Sequence, residues 1–88
     1  MRDTLKILLL DDNEEDIKKI SELLVLNSYN PPTVVKTEKE FVNLCLSGIS
    51  CDVIICEHEL WSLNSLQILN MAKQKKSNII CILVSDKI

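Results

Sequence analysis

Asp52-Val53-Ile54-Ile55-Cys56-Glu57 is an apolar run that begins and ends on an acid. It is short, rich in β-branched residues and without helical period, so 52–56 reads as a strand apolar on both faces. A second run, Ile7-Leu8-Leu9-Leu10, also stops at carboxylates, in Asp11-Asp12. Two such strands place negative charge at one end of a sheet. Clustered carboxylates repel one another, and clusters of this kind accompany a bound metal or chemistry.

Residues 5–10 form the first strand. Asn13 follows as an N-cap with Asp16 in a capping role, and Glu14, Glu15 and Asp16 fill a first turn where the helix dipole favours acids. Ile17, Ile20, Leu23 and Leu24 recur at helical spacing, which predicts a helix over 14–26. Pro31-Pro32 cannot continue it. Thr33 to Lys36 is a short strand, less apolar and nearer an edge. Thr37 and Glu40 form a capping box for a helix over 38–46, with Phe41, Leu44 and Cys45 inward. Gly48, the single glycine, suits a C-terminal cap. After the strand at 52–56 comes a loop from His58 to Asn64. A third helix covers 65–75, with Leu66, Leu69 and Ala72 inward and Ile68 beside them. A strand over 79–84 ends in Ser85-Asp86. The order is β-α-β-α-β-α-β, which predicts a doubly wound parallel sheet with helices on both faces.

Composition narrows the function. Eighty-eight residues, 47% of them apolar, make one domain and exclude a disordered chain. Tyr29, Phe41 and Trp61 are the only aromatics, so the core must be aliphatic. The net charge is -3, and the densest basic stretch, Lys73, Lys75 and Lys76, lacks interleaved aromatics. It reads as a solvated helix end, and no nucleic-acid site is expected. Cys45, Cys51, Cys56 and Cys81 lie in apolar segments, with no Cys-x-x-Cys pair and one histidine. They read as buried hydrophobes in a reducing cytoplasm rather than zinc ligands. No signal peptide is read at the N-terminus, and the apolar runs are too short for a bilayer, so no membrane is expected. One glycine gives no phosphate-binding loop, and no nucleophile–histidine pair is evident, so no enzyme is expected.

In open α/β sheets ligands bind beyond the carboxyl ends of the strands, where Asp11, Asp12, Glu57 and Asp86 sit. A hard cation such as Mg2+ suits such a set. Ordinary polar residues at strand ends, with Asp12 and Asn13 capping the helix, are the competing reading.

The order and spacing of these pieces resemble the receiver domain of two-component response regulators over nearly the whole chain. Leu5 to Asn13 is similar to that family's first strand and paired acids. Asp52 to Glu57 is similar to its third strand and phospho-acceptor. Leu66-Gln67-Ile68-Leu69 falls in its third helix, and Ser85 matches the Ser/Thr closing its fourth strand. The resemblance implies a flavodoxin-like sheet of order 2-1-3-4-5. It also implies Mg2+ on the paired acids, phosphoryl transfer from a histidine kinase to an Asp, and a Ser/Thr and a later Lys that bind the phosphoryl group.

The departures shape the functional expectation. Glu57 stands where the acceptor is an Asp, and Trp61 where Pro is usual. Asn64 and Ser65 replace an acid-Gly pair, and Asp86 follows Ser85 where a small residue is usual. The later Lys is missing, and Lys87 lies too early to replace it. The expectation is a single receiver-like domain, residues 1–88, without the last helix-strand-helix and with strand order 2-1-3-4. Glu57 is expected not to be phosphorylated. Asp11, Asp12 and Glu57 form a weak Mg2+ site, Ser85 takes the phosphoryl-contact position, and Asp86 and His58 neighbour the pocket, although His58 itself reads as exposed and uninvolved. Trp61 is expected to fold back onto the domain. The uncovered strand 79–84 calls for a homodimer or a protein partner, a histidine kinase or another signalling protein. The leading reading is a degenerate receiver that acts as a phosphorylation-independent interaction module. The alternative is a working or fragmentary receiver that binds Mg2+ and accepts phosphoryl.

Overall fold

The computed structural model describes residues 5–76 and 78–84. Its elements are β1 (Ile7–Leu10), α1 (Glu14–Leu26), β2 (Thr33–Val35), α2 (Glu38–Ser47), β3 (Val53–Glu57), β4 (Glu59–Leu60), β5 (Leu63–Asn64), α3 (Ser65–Lys73) and β6 (Ile80–Val84). Four of the strands form one parallel sheet in the order β2-β1-β3-β6. This is the expected doubly wound architecture. The outer strand is sixth in the chain rather than fourth, because an antiparallel pair, β4 with β5, interrupts the loop after β3.

The faces of the sheet follow from strand alternation. Leu8, Leu10, Ile54 and Cys56 turn to one side and meet Phe41 and Cys45 of α2 and Ile68 and Ala72 of α3. Ile7, Leu9, Val53 and Ile55 turn to the other and meet Ile17, Ile20 and Leu24 of α1. β1 is buried throughout and β3 at every residue but Glu57. On α3 the buried residues are Ser65, Ile68 and Ala72, while Leu66 is exposed, so the apolar stripe lies beside the expected one.

The helix starts follow their caps. The Asn13 side chain accepts the Asp16 N–H, and that of Thr37 accepts the Glu40 N–H. Asn64 and Gln67 close a capping box on α3. Gly48 ends α2 at φ +107°, where a side chain would strain the backbone. No described helix is long and apolar enough to cross a membrane.

Asp52 ties the end of the sheet away from the acidic strand ends. Its backbone N–H donates to the Lys6 carbonyl at 2.8 Å, and its carbonyl accepts the Ile80 N–H at 3.1 Å. Its carboxylate accepts the Lys6 N–H at 2.9 Å and the Lys76 ammonium at 3.0 Å. Those bonds hold its pKa below the ordinary carboxylate range, the Lys6 N–H contributing most. Lys76, expected only to be solvated, is thus half of an ion pair.

Candidate functional site

Asp11 closes β1 and is buried, at 3% exposure. Its N–H donates to the Val35 carbonyl at 3.1 Å, and its carboxylate accepts the Asn13 N–H at 2.9 Å. Burial pushes its pKa up, the neighbouring Asp16 and Asp12 push the same way, and the Asn13 N–H opposes them. Glu57 closes β3 and is half-buried, opposite Val84 of β6. Asp16, half-buried in the first turn of α1, completes the group. One carboxylate oxygen each from Asp11, Asp16 and Glu57 lies within 4.8 Å of the others. The three line an open cleft of about 190 Å³ with Lys19, Ile20 and Val84.

The structure brings Asp11 and Glu57 together, with Asp16 in place of Asp12 as their companion. Asp12 is exposed and outside the group. Successive side chains of an extended segment point to opposite sides, so with Asp11 turned into the sheet end its neighbour turns outward. Asp16 was legible only as a capping residue. Its backbone N–H does take part in the cap, and this leaves the carboxylate available to the cleft. Ser85, Asp86 and Lys87 lie outside the described residues.

His58 does not line the acidic cleft. It is exposed and faces a separate depression with Trp61, Ser62, Leu63, Asn64 and Gln67. It is not uninvolved, since its Nδ1 lies 2.9 Å from the Ser65 hydroxyl and its carbonyl accepts the Ser65 N–H. It braces the start of α3. Trp61 folds back onto the domain. Its indole N–H donates to the Lys36 carbonyl at 3.0 Å, and its ring packs on Phe41 with centroids 6.3 Å apart. Trp61 has φ +58°, a cost for a bulky residue that these contacts offset. Both the N–H and the hydroxyl of Ser62 donate to Glu38 and lower its pKa. The hairpin thus clips the β3–α3 loop to the start of α2.

All four cysteines are free thiols. Cys45, Cys51 and Cys56 are buried, and Cys81 is half-buried. Burial raises the first three; Cys56, with the Cys81 sulfur 3.7 Å away, is pushed up to about 12. Buried thiols with raised pKa are poor nucleophiles, as expected for core residues.

The carboxylate spacing fits one hard cation. Oxygens around Mg2+ at about 2.1 Å are up to about 4.2 Å apart, and around a slightly larger ion somewhat more. A cation there would also favour the ionised form of Asp11, which burial and then the neighbouring acids disfavour.

No family model and no curated protein matches the sequence. Among solved structures, the fold is similar to the crystal structure of a response regulator receiver domain protein from Clostridium thermocellum. The TM-score is 0.76 and the identity 22%, over 90% of this chain and 63% of that one. The chain has the fold of a response-regulator receiver domain, over somewhat less than two thirds of that relative's length.

Proposed function

We propose that this protein is a receiver-type module of two-component signalling whose acidic cleft has kept its shape without phosphoryl chemistry. It acts in the cytoplasm by binding a protein partner, a histidine kinase or another signalling protein. The carrying observation is the makeup of the cleft: Glu57 faces Asp11 and Asp16 in one carboxylate group.

Glu57 has one methylene more than Asp, so its carboxylate extends into the space an incoming phosphoryl group would fill. In-line transfer depends on placement, and misplacement forfeits much of the roughly 7–11 kcal/mol that orientation supplies. Asp16 adds a further anion facing the same space. The cleft then holds a hard cation such as Mg2+ weakly, with Asp11, Asp16 and Glu57 as its carboxylates. The protein is a binding module and not an enzyme.

Incubation with acetyl phosphate and Mg2+, followed by intact-mass measurement, tests this. The expected result is an unchanged mass. Gain of one phosphate would overturn the proposal in favour of a working receiver, a reading that the cation-compatible spacing of the carboxylates supports. If Glu57→Asp alone gains a phosphate, side-chain length is the block. If it does not, Asp16 shares that role.

A further inference from the structure

Three carboxylates and one ammonium line the acidic cleft. Asp11, Asp16 and Glu57 bring one oxygen each within 4.8 Å of the others, and Lys19 is the cation among the described lining residues. Lys19 stands three positions after Asp16 on α1, and residues three apart are neighbours on a helix surface. Ile20, beside it, packs on the sheet. Lys19 is exposed, and the ion pairs among the described residues, Lys36–Glu14 and Lys76–Asp52, do not engage it. Its ammonium is therefore uncommitted, on a flexible four-carbon stem at the wall of the cleft.

We infer that Lys19 is the built-in counter-ion of this cleft: without a divalent ion its ammonium turns over the carboxylates of Asp11, Asp16 and Glu57, and a cation must displace it to bind. The charges decide between the positions open to the ammonium. Glu15, four residues earlier, and Glu22, three later, are the rivals on α1, but both are exposed, and a solvated helix pair attracts weakly. The cleft offers three carboxylates at one point, one of them on the buried Asp11, where water screens least. An ammonium has three N–H donors and can bridge several carboxylate oxygens at once.

The competition favours the side chain at low cation levels. A tethered group acts at a high effective concentration, roughly millimolar for a short flexible link. A hard cation, which gives up its water reluctantly, has to overcome it. Lys19 thereby sets the threshold of the cleft: divalent ions bind only well above the level that the carboxylates alone would require.

This inference deepens the reading of the cleft as a weak hard-cation site and rests on it for the competition, whereas the pairing of Lys19 with the carboxylates stands apart from it. Gain of a phosphate would overturn the module reading and leave Lys19 in place; loss of the Lys19 effects would do the reverse.

The unfolding temperature, followed against Mg2+ at constant ionic strength, reads cation affinity by linkage. Lys19→Met, which keeps the stem and removes the charge, should tighten Mg2+ binding about 10-fold, the effect of one nearby charge on a divalent ion in water. Lys18 lies outside the cleft lining, so Lys18→Met should change the affinity by less than about 2-fold, since salt screens the longer distance. Lys19→Arg should keep the wild-type affinity. Without divalent ions, Lys19→Met should lower the folding equilibrium constant by about 2- to 5-fold, and by clearly less in a Glu57→Gln background, a coupling across the cleft that a double-mutant cycle reads. Unchanged affinity in Lys19→Met, an equal effect of Lys18→Met, or additive stabilities in the cycle overturns the inference. If no variant responds to Mg2+, the weak-cation reading falls and the cycle alone decides the role of Lys19. Lys19→Gln repeats each arm if the methionine variant fails to fold.

Discussion

β1 and β6 both flank β3, yet they belong to different parts of the molecule in physical terms. β1 is buried at all four residues and has a strand on each side, whereas β6 has no buried residue and, among the described residues, one partner strand. The same contrast separates the acids. Asp52 has its oxygens taken by Lys6 and Lys76, while Asp11, Asp16 and Glu57 face one another. One part of the protein is closed, with each group matched to a partner that the fold supplies. The other is open to solvent, with apolar side chains of β6 exposed and three carboxylates brought close together. Groups arranged in this way are poorly accounted for by stability alone.

Shortening one side chain in each part should expose that contrast most strongly. Leu9→Ala, at a fully buried site on β1, should cost about 3–4 kcal/mol in urea unfolding. Ile82→Ala, measured at low concentration, should cost less than about 1 kcal/mol. Equal costs would show that β6 is anchored in the core as firmly as β1. Trp61→Phe keeps the packing on Phe41 and removes the indole donor to Lys36. It should cost about 1 kcal/mol and speed amide exchange in the hairpin. No loss would place the hairpin in the open part.

Asp11→Asn should do the opposite and stabilise the protein. An acid whose pKa is raised on folding costs stability when ionised, fully above the raised value and not at all below its ordinary one. The cleft opens to solvent, which screens the effect, so the gain at neutral pH without divalent ions should be about 0.5 kcal/mol or less. It should fade as the pH falls into the ordinary carboxylate range. Destabilisation at neutral pH would mean that the carboxylates are not at odds. The mildest test concerns Asp52, whose pKa is lowered. Its contribution is present above the ordinary carboxylate value and is lost as the pH falls through the lowered one. Asp52→Asn should therefore flatten the acid limb of the stability profile.

The closed part was the more legible in the sequence. Uninterrupted apolar runs have no alternative to a covered strand, and Asn13, Thr37 and Gly48 mark helix ends by local chemistry. What was missed depends on contacts made across the fold. Asn64 follows a segment without turn residues, so the hairpin at 59–64 stays hidden until Trp61 finds Lys36 and Phe41. Ser65 is polar, and its burial on α3 follows from hydrogen bonds with His58. Within the site, Glu57 and Asp11 were legible because strand ends fix their place. Asp16 was not, because a first-turn acid reads as a response to the helix dipole. Only the packing of α1 over the sheet turns it into the cleft.

The bonds of Asp52 also bear on how the chain finds its native stagger. A parallel sheet built from Ile7-Leu8-Leu9-Leu10 and Val53-Ile54-Ile55-Cys56 offers little to choose between neighbouring alignments, since both faces of each strand are apolar. A slip of one residue would exchange every inward side chain for an outward one at small hydrophobic cost. Asp52 acts as an indexing pin against that slip. Through one residue it fixes Lys6, Ile80 and Lys76, and so sets β1 and β6 against β3. Only in that alignment do Asp11 and Glu57 arrive side by side, so the meeting of the acids is decided at the far end of the strands from where it takes place.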